Sequence, residues 1–443
     1  MRGNDRATHR PTYRPHYGPS RLVALAAVLT LLLGLVGCSD DPANDAGALG
    51  PKDPTKVTAT QARAQEQRIM NQRARAVRQQ NLDLFLRRVD HSDKALMASQ
   101  RRYFRNLVQL PLAKLRFRVM DEEWQGLRTP KRWGPDVHIP RVRQVIQLEE
   151  YDAVPVERVV GLVFSFRKGR ARIVSDRTAA GKMLFEGTPA PWDLTPVTIR
   201  EQPNVLGVFD AETSASADTV TSVVRDGIDE ISRALPFTWS GRVVVYSVRN
   251  PRVLASFTDV PGGNLEHLGA LTFPTYAESG GPQVASTRML VLPSSVDAGQ
   301  PFLGRITRHE LSHIAVGVRD DGAPAWVSEG LAEYLGARQI PLRDRIIATS
   351  ALDRARAEVT AMPVSKEFNN TDQEWHYALS WMACDYIAAS HGEARLWELV
   401  DAMHNGGQGT SDAQQDRVLV QVLGYDGAEL ARRAAARIRN LYG

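Results

Sequence analysis

His309, Glu310 and His313 stand in the run RHELSHIAV, an HExxH arrangement. Residues four apart on an α-helix project from one face, one turn above the other, so both imidazoles can reach a single ion. Imidazole nitrogens hold Zn2+ at about 2.0–2.1 Å. Glu310 is one step round the helix, beside such an ion but not on it, where a carboxylate can take a proton from metal-activated water. The run therefore predicts a helix carrying one zinc per chain.

A catalytic zinc takes three protein ligands and leaves one position for water. The stretch APAWVSEGLAEY follows and offers Glu329 as the third. Pro324 suits a first helical turn, and Trp326, Leu331 and Leu335 give the following helix an apolar stripe. The intervening GVRDDGAP is turn-like, so the chain can fold back and present Glu329 to the histidines. The plainer alternative is a solvated surface carboxylate paired with an arginine. Glu333, one turn further on, either orients a ligand histidine or is structural.

HELSH followed by WVSEGLAEY resembles the gluzincin metallopeptidases. In the aminopeptidase N family a WxxEG segment likewise follows HExxH, and its glutamate is the third zinc ligand. The shorter interval here, and the ending LVQVLGYDGAELARRAAARI, are more similar to the bacterial peptidase MA-like family. The resemblance spans residues 195–443, and its specific part is 309–334. It implies a zincin-like catalytic domain over 195–443 with His309, His313 and Glu329 as ligands and Glu310 as the catalytic carboxylate. The implied activity is hydrolysis of a peptide or protein substrate of the cell envelope. The GxMEN-type exopeptidase signature of aminopeptidase N is missing. Zincins border the cleft with a strand that pairs with extended substrate, and the resemblance points to Met289–Leu292; the alternative there is a plain interior strand. Related enzymes take an oxyanion donor from a downstream helix. In DQEWHYALSWMACDYIAASHG, Tyr377 is the first candidate and His376 the second, against simple core packing of the tyrosine. Two other readings use the same residues: a zinc hydrolase acting on a non-protein amide of the envelope, and a catalytically silent, lipid-anchored binding or assembly protein.

The first 21 residues carry Arg2, Arg6, Arg10, Arg14 and Arg21 against Asp5, and LVALAAVLTLLLGLVG follows. That apolar run is short for a membrane span. It ends in Leu35-Val36-Gly37-Cys38, which resembles a bacterial lipobox. The resemblance implies a signal peptide over 1–37, lipidation of Cys38, and a body held on the extracytoplasmic face of the cell membrane; an uncleaved anchor helix is the alternative. Residues 38–56 are Asp-, Pro- and Gly-rich and read as a tether. Cys384 is the only other cysteine and reads as a small buried hydrophobe.

Of the formal charge of +5, the first 21 residues contribute five arginines less one aspartate, or +4. The remainder is nearly neutral, so the charge is no argument for a nucleic-acid partner. Residues 57–118 are arginine-rich (Arg63, Arg68, Arg73, Arg75 and others), which suits contact with anionic lipid or wall polymer, or simply a solvated helix face.

The positioning elements follow from periodicity. A polar helix is predicted over Ala59–Arg88 and an amphipathic one over Ser92–Leu110. KLRFRVMD, VRQVIQLEEY, VVGLVFSF and ARIVSD alternate as strands, with Leu115, Phe117 and Val119 on one face. Helices followed by an antiparallel sheet predict an α+β domain over 57–180, similar to cone-shaped nuclear-transport-factor-like or cystatin-like folds, acting as spacer, binding module or cover. TAAGKMLFEGTPAPWDLTP reads as a linker. NVLGVFD, GRVVVYSV and TRMLVLPSS then read as strands and SADTVTSVVRDGIDEISRAL as a helix, before a mostly helical C-terminal part. The fold class expected is α+β throughout.

Overall fold

Thr58 opens the first helix with a reciprocal cap: its hydroxyl accepts from the Gln61 N–H, and the Gln61 side chain accepts from the Thr58 N–H. The computed structural model describes residues 57–443 apart from 135, 259, 261–264, 266–267 and 407–411. The expected signal peptide, the tether and Cys38 lie outside the described residues. The single helix expected to Arg88 is broken in two, α1 (Ala59–Arg78) and α2 (Leu82–Leu86). Gln80 takes φ +51°, and the Asn81 side chain accepts from the Leu84 N–H, so a local cap outcompetes continuation. Asp93 caps α3 (Lys94–Leu107) in the same way.

Seven strands follow: β1 (Leu112–Glu123), β2 (Val137–His138), β3 (Pro140–Leu148), β4 (Val156–Gly161), β5 (Val163–Arg167), β6 (Arg170–Ser175) and β7 (Phe185–Glu186). They form two antiparallel sheets, in order β1-β3-β4-β7 and β2-β5-β6. Leu115, Phe117 and Val119 are buried and Arg116 and Arg118 exposed, the face the alternation predicted. Among the arginines of the basic stretch, Arg68, Arg75, Arg87 and Arg88 are exposed, whereas Arg73 is buried with its guanidinium 3.7 Å from the Phe85 ring centroid. The stretch expected as a linker is structured. It contains β7 and α4 (Pro191–Leu194), and the Asn106 side chain donates to the carbonyls of Trp192 and Thr195, both at 2.8 Å.

The second sheet-forming region comprises β8 (Thr198–Gln202), β9 (Val205–Phe209), α5 (Ala217–Ala234), β10 (Val243–Ser247), α6 (Pro251–Leu254), β11 (Ala270–Tyr276) and β12 (Val284–Val291). Its strand order is β11-β12-β10-β9-β8, with β9, β10 and β12 parallel and the two outer strands antiparallel to their neighbours. Both faces are covered. Val205, Val243, Val245, Met289 and Val291 point into a core shared with the helices, while Leu206, Val208, Val244, Tyr246 and Leu290 point into a core shared with the N-terminal half. This is the period of two expected of a strand. It explains why these strands read as continuous apolar runs. Met289–Leu292, expected to border a cleft, lies instead in and just after β12, which is paired on both sides; β11 is the edge. A buried ion pair ties the halves together: Arg288 donates to Asp152 at 2.9 Å and to the Tyr246 hydroxyl at 2.6 Å.

The helical part runs α7 (Pro293–Ala298), α8 (Phe302–Val316), α9 (Ala325–Ala337), α10 (Thr349–Arg356), α11 (Gln373–His391), α12 (Glu393–Gly406), α13 (Asp412–Leu423) and α14 (Gly427–Tyr442). Among the described residues no helix is long and apolar enough to cross a membrane. Cys384 is fully buried on α11, and burial pushes its thiol well above the usual range, so it behaves as the small hydrophobe expected. The close packing of α9 rests on two glycines. A Cβ on Gly336 would lie 3.1 Å from the Arg305 carbonyl of α8, and one on Gly330 would lie 2.5 Å from the Ser380 carbonyl of α11. Gly330→Ala must therefore push α9 off α11. Overpacking of this kind costs about 1–3 kcal/mol. Denaturant unfolding should show that loss together with weaker metal retention; wild-type values for both would contradict the packing account.

Candidate metal centre

Helix α8 carries both histidines because Leu303, Leu311 and Ala315 anchor its other face in the core. Gly317, at φ +55°, ends it. The chain then reverses through 318–324, and α9 returns against α8 with Glu329 facing the histidines. The three residues expected from the sequence are thus brought together, and among the described residues they are the one cluster suited to hold a metal.

The ligand atoms converge. His309 Nε2 is 3.2 Å from His313 Nε2 and 3.3 Å from Glu329 Oε2, and His313 Nε2 is 3.6 Å from the same oxygen. A tetrahedral ion with ligand bonds of about 2.05 Å requires edges of about 3.3 Å between its ligands. Two imidazoles and a carboxylate at that spacing fit a three-ligand site with one open position.

Each ligand histidine backs onto a carboxylate. His309 Nδ1 lies 3.1 Å from Glu333 Oε1, and His313 Nδ1 lies 3.8 Å from Asp320 Oδ2. Negative charge at these places favours a positively charged ring and so raises the affinity of both imidazoles for a proton or a cation. Glu333 is held in turn by an ion pair with Arg305, whose guanidinium stacks 4.9 Å from the Trp381 ring centroid. Asp320 accepts from the Ser328 hydroxyl at 2.5 Å. Glu333, which the sequence left open between orienting a histidine and a structural role, stands beside the His309 ring and is tied to Arg305. Asp320 was missed: it sits in an acidic turn with no spacing signal of its own.

Glu310 is buried beside the histidines, and its carboxylate makes no hydrogen bond or ion pair among the described residues. Beyond the helix ladder, its main-chain carbonyl accepts from the Thr272 hydroxyl of β11 at 3.2 Å.

Tyr377 reaches the site from α11. Its ring centroid is 6.3 Å from that of His309, and its hydroxyl is 3.4 Å from Asn369 Oδ1. Burial, then the negative fields of Glu329, Glu333 and Glu310, push the phenol far above its ordinary value, so it remains an O–H donor. His376 Nδ1 faces the Phe368 carbonyl at 2.9 Å.

The electrostatics show what the cluster does without an ion. Burial lowers the His309 pKa, but Glu329 and Glu333 override it and raise it to about 9. His313 is raised well above its usual value by Glu329 and Asp320 against the same burial. Glu329 is held far below the usual carboxylate range, burial being outweighed by His313 and His309. Protons therefore stand in for a cation.

No protein-family model matches the chain, and no curated protein matches it.

One linkage follows. The folded His309 pKa is raised, so its proton stabilises the metal-free protein fully below pH 6.5, and that contribution is lost as pH rises through about 9. A metal must displace that proton. Adding Zn2+ to metal-free protein at pH 7.5 in weak buffer should acidify the solution; uptake without proton release would contradict the arrangement.

Proposed function

We propose that this protein is a zinc-dependent metallopeptidase with a zincin-like catalytic region, held by a lipid on Cys38 at the extracytoplasmic face of the cell membrane. The observation that carries the reading is the 3.2–3.6 Å triangle of His309, His313 and Glu329 with Glu310, buried and without an ion pair among the described residues, beside it. His309, His313 and Glu329 would hold the ion. When bound there, zinc supplies Lewis acidity that brings water close to ionisation at neutral pH.

The chain's own residues do the rest. Glu310 accepts the proton of the attacking water and passes it to the leaving amine, a role that needs a carboxylate not tied up by a partner. The Tyr377 hydroxyl, kept protonated, donates to the oxygen on which charge develops. Glu333 and Asp320 fix the two imidazoles. Edge strand β11, tied to α8 by Thr272, supplies main-chain groups left unpaired among the described residues, on which an extended substrate backbone can add as a further strand. The lipid anchor rests on the Leu35–Cys38 sequence alone.

The test is Glu310→Gln measured beside His313→Ala on a quenched-fluorescence peptide library. Glu310→Gln should keep zinc and lose about 100-fold or more in turnover, the usual worth of a general base. His313→Ala should lose zinc as well. Wild-type turnover by Glu310→Gln would sink the mechanism.

A further inference from the structure

On the face of β11 turned away from the metal centre lies a cavity of about 420 Å3. It sits where two sheets fork: the Glu157 N–H of the N-terminal half donates to the Ala277 carbonyl just past β11 at 2.6 Å, and the sheets part from there. Val156, Arg158 and Trp192 of the N-terminal half line one side, and Tyr246, Leu271 and Phe273 the other. Its two arginines are already neutralised, Arg158 by Asp193 at 2.7 Å and Arg288 by Asp152 at 2.9 Å. Glu157 and Glu186 are paired with Arg143 and Arg141, and Glu278 is exposed at the mouth, so the charges of the interior are compensated and Val156, Trp192, Tyr246, Leu271 and Phe273 form an apolar surface within it. The size falls within the range of small-ligand pockets, about 300–1,000 Å3.

The backbone of β11 connects this cavity to the metal centre. The Gly269 carbonyl accepts from the Leu292 N–H, and Leu271 and Phe273 stand opposite Leu290 and Arg288. Hydrogen-bonded and non-hydrogen-bonded pairs alternate in an antiparallel ladder. Ala270, Thr272 and Pro274 therefore turn their main-chain groups to the free edge. The Thr272 side chain lies on the α8 face, so Leu271 and Phe273 face the opposite way, into the cavity. A peptide added to that edge has the same alternation: one side chain towards the metal centre, the next towards the cavity.

We infer that the cavity receives a large aliphatic or aromatic side chain of an extended peptide lying on β11, so that the N-terminal half builds part of the substrate-recognition surface. The inference rests on the peptidase reading for what brings the peptide there. Ser279 and Thr188 are exposed at the cavity mouth, where Ser279 Oγ lies 3.4 Å from the position of a Cβ on Gly187. A tryptophan at either place narrows the entrance without touching the metal centre.

The experiment titrates zinc-loaded full chain with acetyl-tetra-alanine hydroxamates, the hydroxamate fixing register at the metal, in which a single phenylalanine is moved through the four positions. Affinity should rise about tenfold or more at positions of one parity, the worth of burying such a side chain. Ser279→Trp and Thr188→Trp should each abolish that gain, with zinc content and affinity for the all-alanine probe unchanged. A gain that survives both substitutions, or no gain at any position, overturns the inference. Cleavage of library peptides by the wild type is read separately. Cleavage without the parity effect leaves the peptidase standing and removes the pocket. The parity effect without cleavage keeps a peptide-binding pocket and removes the peptidase. No hydroxamate binding at all removes both.

Discussion

Two imidazoles and a carboxylate held within 3.6 Å of one another, largely away from water, are stable only when positive charge sits between them. That constraint organises the helical half of the protein. Glu333 and Asp320 face the outer nitrogens of the two rings, and Arg305 balances Glu333. Helix α9 can bring Glu329 in only because Gly336 and Gly330 let it lie against α8 and α11 without side chains between the backbones. The site is thus a consequence of how closely three helices approach.

The mixed sheet supplies the second constraint. Its central strands are apolar on both faces, and each face needs a cover. Helices α5 and α8 cover one, and the N-terminal half covers the other through a continuous core that includes Leu206, Val208, Val244 and Leu290. The N-terminal half is therefore packed as a structural partner of the region that carries the candidate metal centre rather than as a detachable module. Removing it would expose that row of apolar side chains to water. It also leaves β11 as an edge strand with the metal helix on one face and an aromatic cavity on the other.

Much of this was legible from local patterns. HExxH spacing on a helix places His309 and His313 on one face, and a turn followed by WVSEG places Glu329 opposite, as the structure has them. The strands read from alternation in the N-terminal half match β1, β3 and β6, since alternation reports a half-buried face directly. Non-local facts were not legible. Whether β12 is an edge or an interior strand depends on β11 pairing outside it, which no local pattern encodes. The docking of residues 178–196 depends on Asn106, some ninety positions earlier. One signal was present and unused: GRVVVYSV, buried at every position of β10, already required a cover on both faces. Asp320 and Arg305 gave no signal, because a carboxylate or guanidinium that supports a ligand has no fixed spacing from it.

The most direct measurement is zinc K-edge absorption spectroscopy on purified full chain together with its metal stoichiometry. One zinc per chain, bound by two imidazole nitrogens, one carboxylate oxygen and one exchangeable light atom, is the result expected. Failure to bind zinc, or a coordination shell without two imidazoles, would contradict the account.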